Sequence, residues 1–182
     1  MSKLADYLTR VAAAYARAEH SPDDANVQRC YQAFERAINA QYQLVTAFVR
    51  VEFTDEDPYP LSEPMWADIA AGHIKVYTFA ELPANHPMQA FNLQFRAVHD
   101  VLAHYPERLH HDGLDAEPGR DELRAFQAHA RLLCGNGAAI RALFTETVAQ
   151  NATYHYGARR HEFAEQRATL LPEALIVEGL AL

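Results

Sequence analysis

The stretch Phe95-Arg96-Ala97-Val98-His99-Asp100-Val101-Leu102-Ala103-His104 decides how this chain is read. Phe91, Phe95, Val98 and Leu102 follow the i, i+4, i+7, i+11 spacing of a single helical stripe. At about 100° per residue, Asp100 and His104 fall away from that stripe, and His99 sits at its edge. Asp100 and His104, four apart, are neighbours, and Arg96 lies four before Asp100, within reach of its carboxylate. Taken alone, the helix reads equally as a solvated polar face and as one wall of a polar site.

Two later helices bear on that choice. Glu122 and His129 are seven apart and share a face with Phe126 and Leu133. An acid and a histidine inside an apolar stripe are costly unless paired or metal-bound, although an acid near a helix start, such as Glu122, is also favoured while solvated. Glu146 is flanked at helical spacing by Ala139, Ala142, Leu143, Ala149, Gln150 and Thr153. Small residues there imply close helix packing, and a carboxylate in such a seam needs a cation or a hydrogen-bond donor. Three helices thus turn histidine or carboxylate inward, as bundles do when they build metal sites. The preferred ligands are His99, Asp100, His129 and Glu146, with His104 and Glu122 in reserve. Nitrogen and oxygen donors without thiolate suit a divalent zinc, manganese, iron, nickel or cobalt ion. Whichever of Glu122 and His104 is not a ligand would act as general base, and Arg96 or Gln150 would hold substrate. A metal-free polar pocket and a structural hydrogen-bond network are the alternatives.

Around this core the chain reads as mainly α, a compact helical bundle with one small antiparallel β ribbon, a single domain over 1–182. Residues 1–50 form an N-terminal helix pair. Leu4, Leu8, Val11 and Tyr15 mark the first helix, and Val27, Cys30, Tyr31, Phe34, Ile38, Tyr42, Val45 and Phe48 mark the second. Between them, Ser21-Pro22-Asp23-Asp24 reads as a break and a helix start. Residues 51–85 hold the ribbon and loops: 49–53 alternates with period two, 73–79 is β-branched and aromatic, and a short helix opens at Ser62. Residues 86–172 carry the site. A central helix over 87–105 is ended by Tyr105-Pro106. A polar loop over 106–119, with His110, His111, Gly113 and Gly119, is expected to cover the site opening. Helices follow over 120–134, 138–156 and 160–171, then a brief extended tail at 175–177.

Composition excludes several classes. With 49% hydrophobic and 22% charged residues the chain is of ordinary globular type, and its net charge of -8 argues against a duplex nucleic-acid binder. Cys30 and Cys134 fall in helical pattern and read as reduced thiols. No apolar run approaches membrane-spanning length, so a cytoplasmic protein that binds no membrane is expected. The chain has Ser2, Ser21 and Ser62 as its serines, none in the setting of a nucleophile elbow, and it lacks a glycine-rich phosphate loop and an HExxH pair.

His99-Asp100, followed by Ala103-His104, resembles the signature of HD-domain metal-dependent phosphohydrolases, in which adjacent His and Asp on a helix are both metal ligands. Ala103 stands where that family often has glycine. The resemblance implies an upstream histidine ligand, for which His73 and His86 are available, and a downstream carboxylate, a role left to Glu146. A broader set of motifs covers residues 86–172: Phe95-Arg96-Ala97-Val98-His99-Asp100 with His104, then Glu122 with Ala125, Phe126 and His129, then Thr145-Glu146-Thr147 with Gln150-Asn151, and Phe163 to Gln166 with Leu170-Leu171-Pro172. It is similar to an uncharacterised protein group common in bacteriophage genomes, which implies a phage or bacterial source and no particular reaction.

The expectation is therefore a metal-dependent hydrolase acting on a small phosphorylated or nucleotide substrate, in the cytoplasm of a bacterial or phage-infected cell, with the oligomeric state open. A non-haem iron oxygenase would use the same ligands. A non-enzymatic phage or bacterial protein, structural or host-interacting, would carry the polar helices as framework only and would expose a large apolar patch.

Overall fold

The computed structural model describes residues 2–79, 82–110, 117–159, 161–162 and 164–182. The fold is mainly helical. Helix α1 (Lys3–Arg17) is capped by the Ser2 side chain, which accepts from Ala5 N at 3.0 Å, and buries Tyr7, Leu8, Val11, Ala12 and Tyr15. Helix α2 (Ala25–Thr46) starts later than Ser21-Pro22 suggests. Asp24 caps it, accepting from Asn26 N and Val27 N, and the apolar stripe from Val27 to Val45 is buried. Phe48, placed on that stripe by spacing, lies beyond the helix end and is exposed.

Strands β1 (Arg50–Thr54) and β2 (His73–Tyr77) do pair, but in parallel, with Arg50 opposite His73 and Thr54 opposite Tyr77. The antiparallel ribbon expected from sequence is thus corrected. Helix α3 (Ser62–Ala70) lies between the strands and returns the chain to the end where β1 began. Parallel strands need such a crossover of about a dozen residues or more, usually helical, whereas antiparallel ones need only a turn. Strand-forming composition is the same in both cases, so only the connection decides.

The central segment opens with a 3-10 turn (Pro87–Ala90) capped by His86 Nδ1, and continues as α4 (Asn92–His99). It then widens into a π turn (Asp100–His104) before α5 (Tyr105–Glu107) and a 3-10 turn (Arg108–His110). Pro106 does not end the helix: it sits in the first turn of α5, where its missing N–H costs little. Of the loop expected to cover the site, His111 and Gly113 lie outside the described residues.

Helix α6 (Arg120–Leu132) packs on the π turn of the central segment, and α7 (Gly137–Phe144) packs on α2. A second π turn (Thr145–Ala149) joins α7 to α8 (Gln150–Tyr156), which lies on α1. The helix expected over 160–171 is absent among the described residues there, and the expected extended tail is instead helix α9 (Glu173–Ala181). Pro172 followed by Glu173 is a helix-start signal that the apolar tail obscured. The segment before it runs against α1, where Arg167 Nη1 donates to the carbonyls of Tyr15, Ala16 and Ala18 and so ties off the end of that helix. One hydrophobic cluster runs from Tyr7 through Phe34, Phe126 and Phe144 to Ile176. Among the described residues no helix is long and apolar enough to cross a membrane.

Candidate metal centre

The two π turns carry the chemistry. In an ideal α-helix, residues five apart point in different directions, whereas i→i+5 bonding stacks them. The Tyr105 N–H bonds back to the Asp100 carbonyl in this way. His104 is thereby brought over His99, their rings meeting edge to face at 4.8 Å. Helix α6 presents Glu122 to both: Glu122 Oε1 is 3.1 Å from His99 Nε2, and Oε2 is 3.5 Å from His104 Nε2. One donor atom from each of His99, His104 and Glu122 lies within 4.8 Å of the other two, and this group can hold a metal ion.

A chain of hydrogen bonds backs His99. Its Nδ1 is 3.0 Å from His129 Nδ1, and His129 Nε2 is 2.9 Å from Gln41 Oε1. With the amide oxygen of Gln41 facing it, His129 Nε2 must donate. Burial and the neighbouring imidazoles of His99 and His104 hold His129 well below the usual histidine range, so it is neutral and its Nδ1 accepts. His99 Nδ1 must then be the donor of that pair. His99 Nε2 consequently meets the Glu122 carboxylate either as the second N–H of an imidazolium or as a lone pair on a shared cation. A ligand imidazole whose other N–H is engaged in this way is oriented for a metal.

Without an ion the group balances its own charge. Burial opposes the charged form of His104, but the Glu122 carboxylate beside it, then Asp100, prevails and raises it to about 9. Burial likewise opposes ionisation of Glu122, and His104 and His99 overcome this, holding it far below the usual carboxylate range. Asp100 is pushed up by burial, with His104, His99 and Arg96 pulling it back. A cavity of about 110 Å³ reaches His104 and is lined further by Trp66, Arg108, Asp121 and Arg124. The Arg108 guanidinium lies 3.9 Å over the Tyr105 ring, and Arg124 donates to the His110 carbonyl.

Glu146 and Gln150 lie elsewhere. Glu146 Oε2 accepts from Gln150 Nε2 at 2.7 Å, Oε1 accepts from the Tyr31 hydroxyl, and His86 Nε2 stands 3.5 Å from Oε1. Burial raises the Glu146 carboxyl to about 7, and burial with the nearby His20 lowers His86 to about 4. Arg96 is on the wall of a larger cleft, donating to the carbonyls of Tyr77 at 2.7 Å and Phe79 at 2.9 Å. His73, an upstream ligand implied by the HD resemblance, pairs with Asp68 at 3.0 Å.

The structure therefore brings together His99, His104, Glu122 and His129, with Asp100 beside them, and sets Glu146 beside His86 instead, another of the histidines considered as a ligand. Gln41, Tyr31 and His86 were not singled out as a group by sequence reasoning. Tyr31 was hidden inside the apolar stripe of α2, and Gln41 looks like any solvated glutamine. Comparison with family models, curated proteins and solved structures gave no match, so the reading of this site rests on its geometry.

Proposed function

We propose that the chain is a metal-dependent hydrolase that acts on a small phosphorylated substrate, such as a nucleotide, through a divalent ion held by His99, His104 and Glu122. The observation that carries this is the mutual approach of the three donors. A tetrahedral ion with bonds of about 2.0–2.2 Å sets its ligands roughly 3.3 Å apart. His99 Nε2 is 3.1 Å from Glu122 Oε1 and His104 Nε2 is 3.5 Å from Oε2, so each histidine stands near that spacing from one oxygen of the carboxylate, and one donor atom from each of the three lies within 4.8 Å of the others. Two histidines and a glutamate form a donor set used by hydrolytic zinc. The ion would polarise a phosphoryl oxygen and activate a water. Asp100, near enough to His104 and His99 to feel their charge, would take the proton of that water. Arg108 and Arg124 in the cavity at His104 would neutralise a phosphoryl group.

The same donor set favours a second reading. Two histidines and one carboxylate with open positions also define non-haem iron oxygenases. The experiment is elemental analysis of protein grown without chelator, followed by reloading with zinc, manganese, iron, nickel or cobalt. The expected result is about one bound equivalent, lost in His104→Ala and Glu122→Gln, with phosphate release from p-nitrophenyl phosphate or nucleotides. Iron content with oxygen consumption and no phosphate release would select the oxygenase. Failure to take up any of the five metals would end both readings.

A further inference from the structure

The cleft bounded by Arg96 is separate from the metal centre: its volume is about 970 Å³, and none of His99, His104 and Glu122 lines it. Its most buried charged group is Glu146, whose side chain is 2% exposed. A carboxylate offers about four lone-pair positions, and Tyr31 and Gln150 use two. Gln150, its amide nitrogen engaged by Glu146, still has its carbonyl oxygen to offer. The floor is therefore a set of acceptors. Asp57 and Glu165 add carboxylates at the rim, and Tyr77, Phe79 and Phe95 supply aromatic walls. Among the described lining residues the one cation is Arg96, turned to the backbone carbonyls of Tyr77 and Phe79.

A second observation points the same way. His86 is fully buried; its Nδ1 accepts from Met88 N, so its Nε2 carries the proton, which has the Arg167 backbone nearby but makes no hydrogen bond of good geometry. It stands 3.5 Å from Glu146 Oε1, just outside hydrogen-bond range. A poorly satisfied buried donor and a buried acid without a cation, side by side, are what a site looks like before its counter-charge arrives.

We propose that this cleft binds an organic ammonium, a primary amine with an aromatic or similarly sized apolar body, whose –NH3+ sits on Glu146 and Gln150. An ammonium has three donors and no acceptor, matching an acceptor floor. Its charge gives the buried Glu146 carboxylate the partner it lacks and lets His86 close on a full negative charge. The aromatic walls attract both the body and the cation. An alcohol of the same shape supplies no charge, and a carboxylate meets Asp57, Glu146 and Glu165 head on. The proposal stands independently of the metal reading.

The test titrates the full-length protein at neutral pH with phenethylamine, 2-phenylethanol and 3-phenylpropionate, followed by amide chemical shifts in NMR. Phenethylamine is expected to bind saturably, and the alcohol and acid about tenfold or more weaker. Glu146→Gln keeps the shape and hydrogen bonding of the protonated acid and is expected to weaken the amine about tenfold while leaving metal uptake unchanged. Phe79→Ala, at a position 58% exposed and so harmless to folding, is expected to weaken it roughly threefold. The proposal is overturned if the alcohol or acid binds as well as the amine, if Glu146→Gln binds the amine like the parent chain, or if no saturable amine binding is seen.

Discussion

Glu122 and Glu146 are both withdrawn from water beside a histidine, and they end in opposite states. Glu122 stands in the first turn of α6, where the helix dipole favours an acid, and faces two imidazoles brought together by a π turn. It stays ionised and drives His104 to hold a proton. Glu146 stands mid-segment in the other π turn, with a hydroxyl and an amide for company and a neutral His86 that is itself starved of charge. It keeps its proton to about pH 7. The residue type is the same; the number of cations within a few ångströms decides. Groups whose environments push their pKa values apart in this way are those that divide acid and base roles in enzymes.

The sharpest way to break the comparison is to remove Glu122. In metal-free protein, Glu122→Ala leaves a protonated His104 without its counter-ion. Denaturant unfolding is expected to show a loss of about 4 kcal/mol, since the partners are only 17% and 26% exposed. The double variant Glu122→Leu with His104→Leu should recover a good part of that, because neither charge remains. A double variant no more stable than the single one would show that the two groups are not a balanced pair.

Glu146 gives a pH signature of opposite sense. Its folded value of about 7 lies above the 4.5 of a free glutamate. The folded state therefore binds the proton more tightly. Its contribution is fully present below pH 4.5 and is lost as pH rises to about 7, amounting to about 3 kcal/mol. Glu146→Gln removes this titration, so its stability relative to the parent chain should climb across that window and then level off. A stability difference that is flat with pH would mean that Glu146 is ionised throughout. His86 shifts the other way, from 6.5 to about 4, and costs stability as pH falls through that range in both proteins.

The smallest effect concerns the direction of the hydrogen-bond chain. Gln41→Leu removes the acceptor for His129 Nε2 and is expected to cost about 1 kcal/mol. It should also release the His99 tautomer, read from imidazole nitrogen shifts, and weaken metal binding about tenfold. If the His99 tautomer is unmoved, Gln41 does not set it.

What the sequence determined by itself is what depends on neighbours along the chain. The apolar periods of α1, α2, α4 and α6 mark buried faces because a helix repeats every 3.6 residues wherever it packs. His129 and Glu146 stood out because polar groups on packed faces must find partners, and His99, His104 and Glu122 because they stand close to such faces at helical spacing; each has a partner here. Only the tertiary structure decided which partners. An extra residue in one turn places His104 over His99, a change of direction that a fixed 100° step does not contain. A helical crossover makes β1 and β2 parallel, although their composition suits either sense. Tyr31 and His86 arrive from distant segments to meet Glu146, and Gln41 arrives to meet His129. Such assignments turn on ångström distances between elements far apart in the chain, and those distances are set by how the whole core packs.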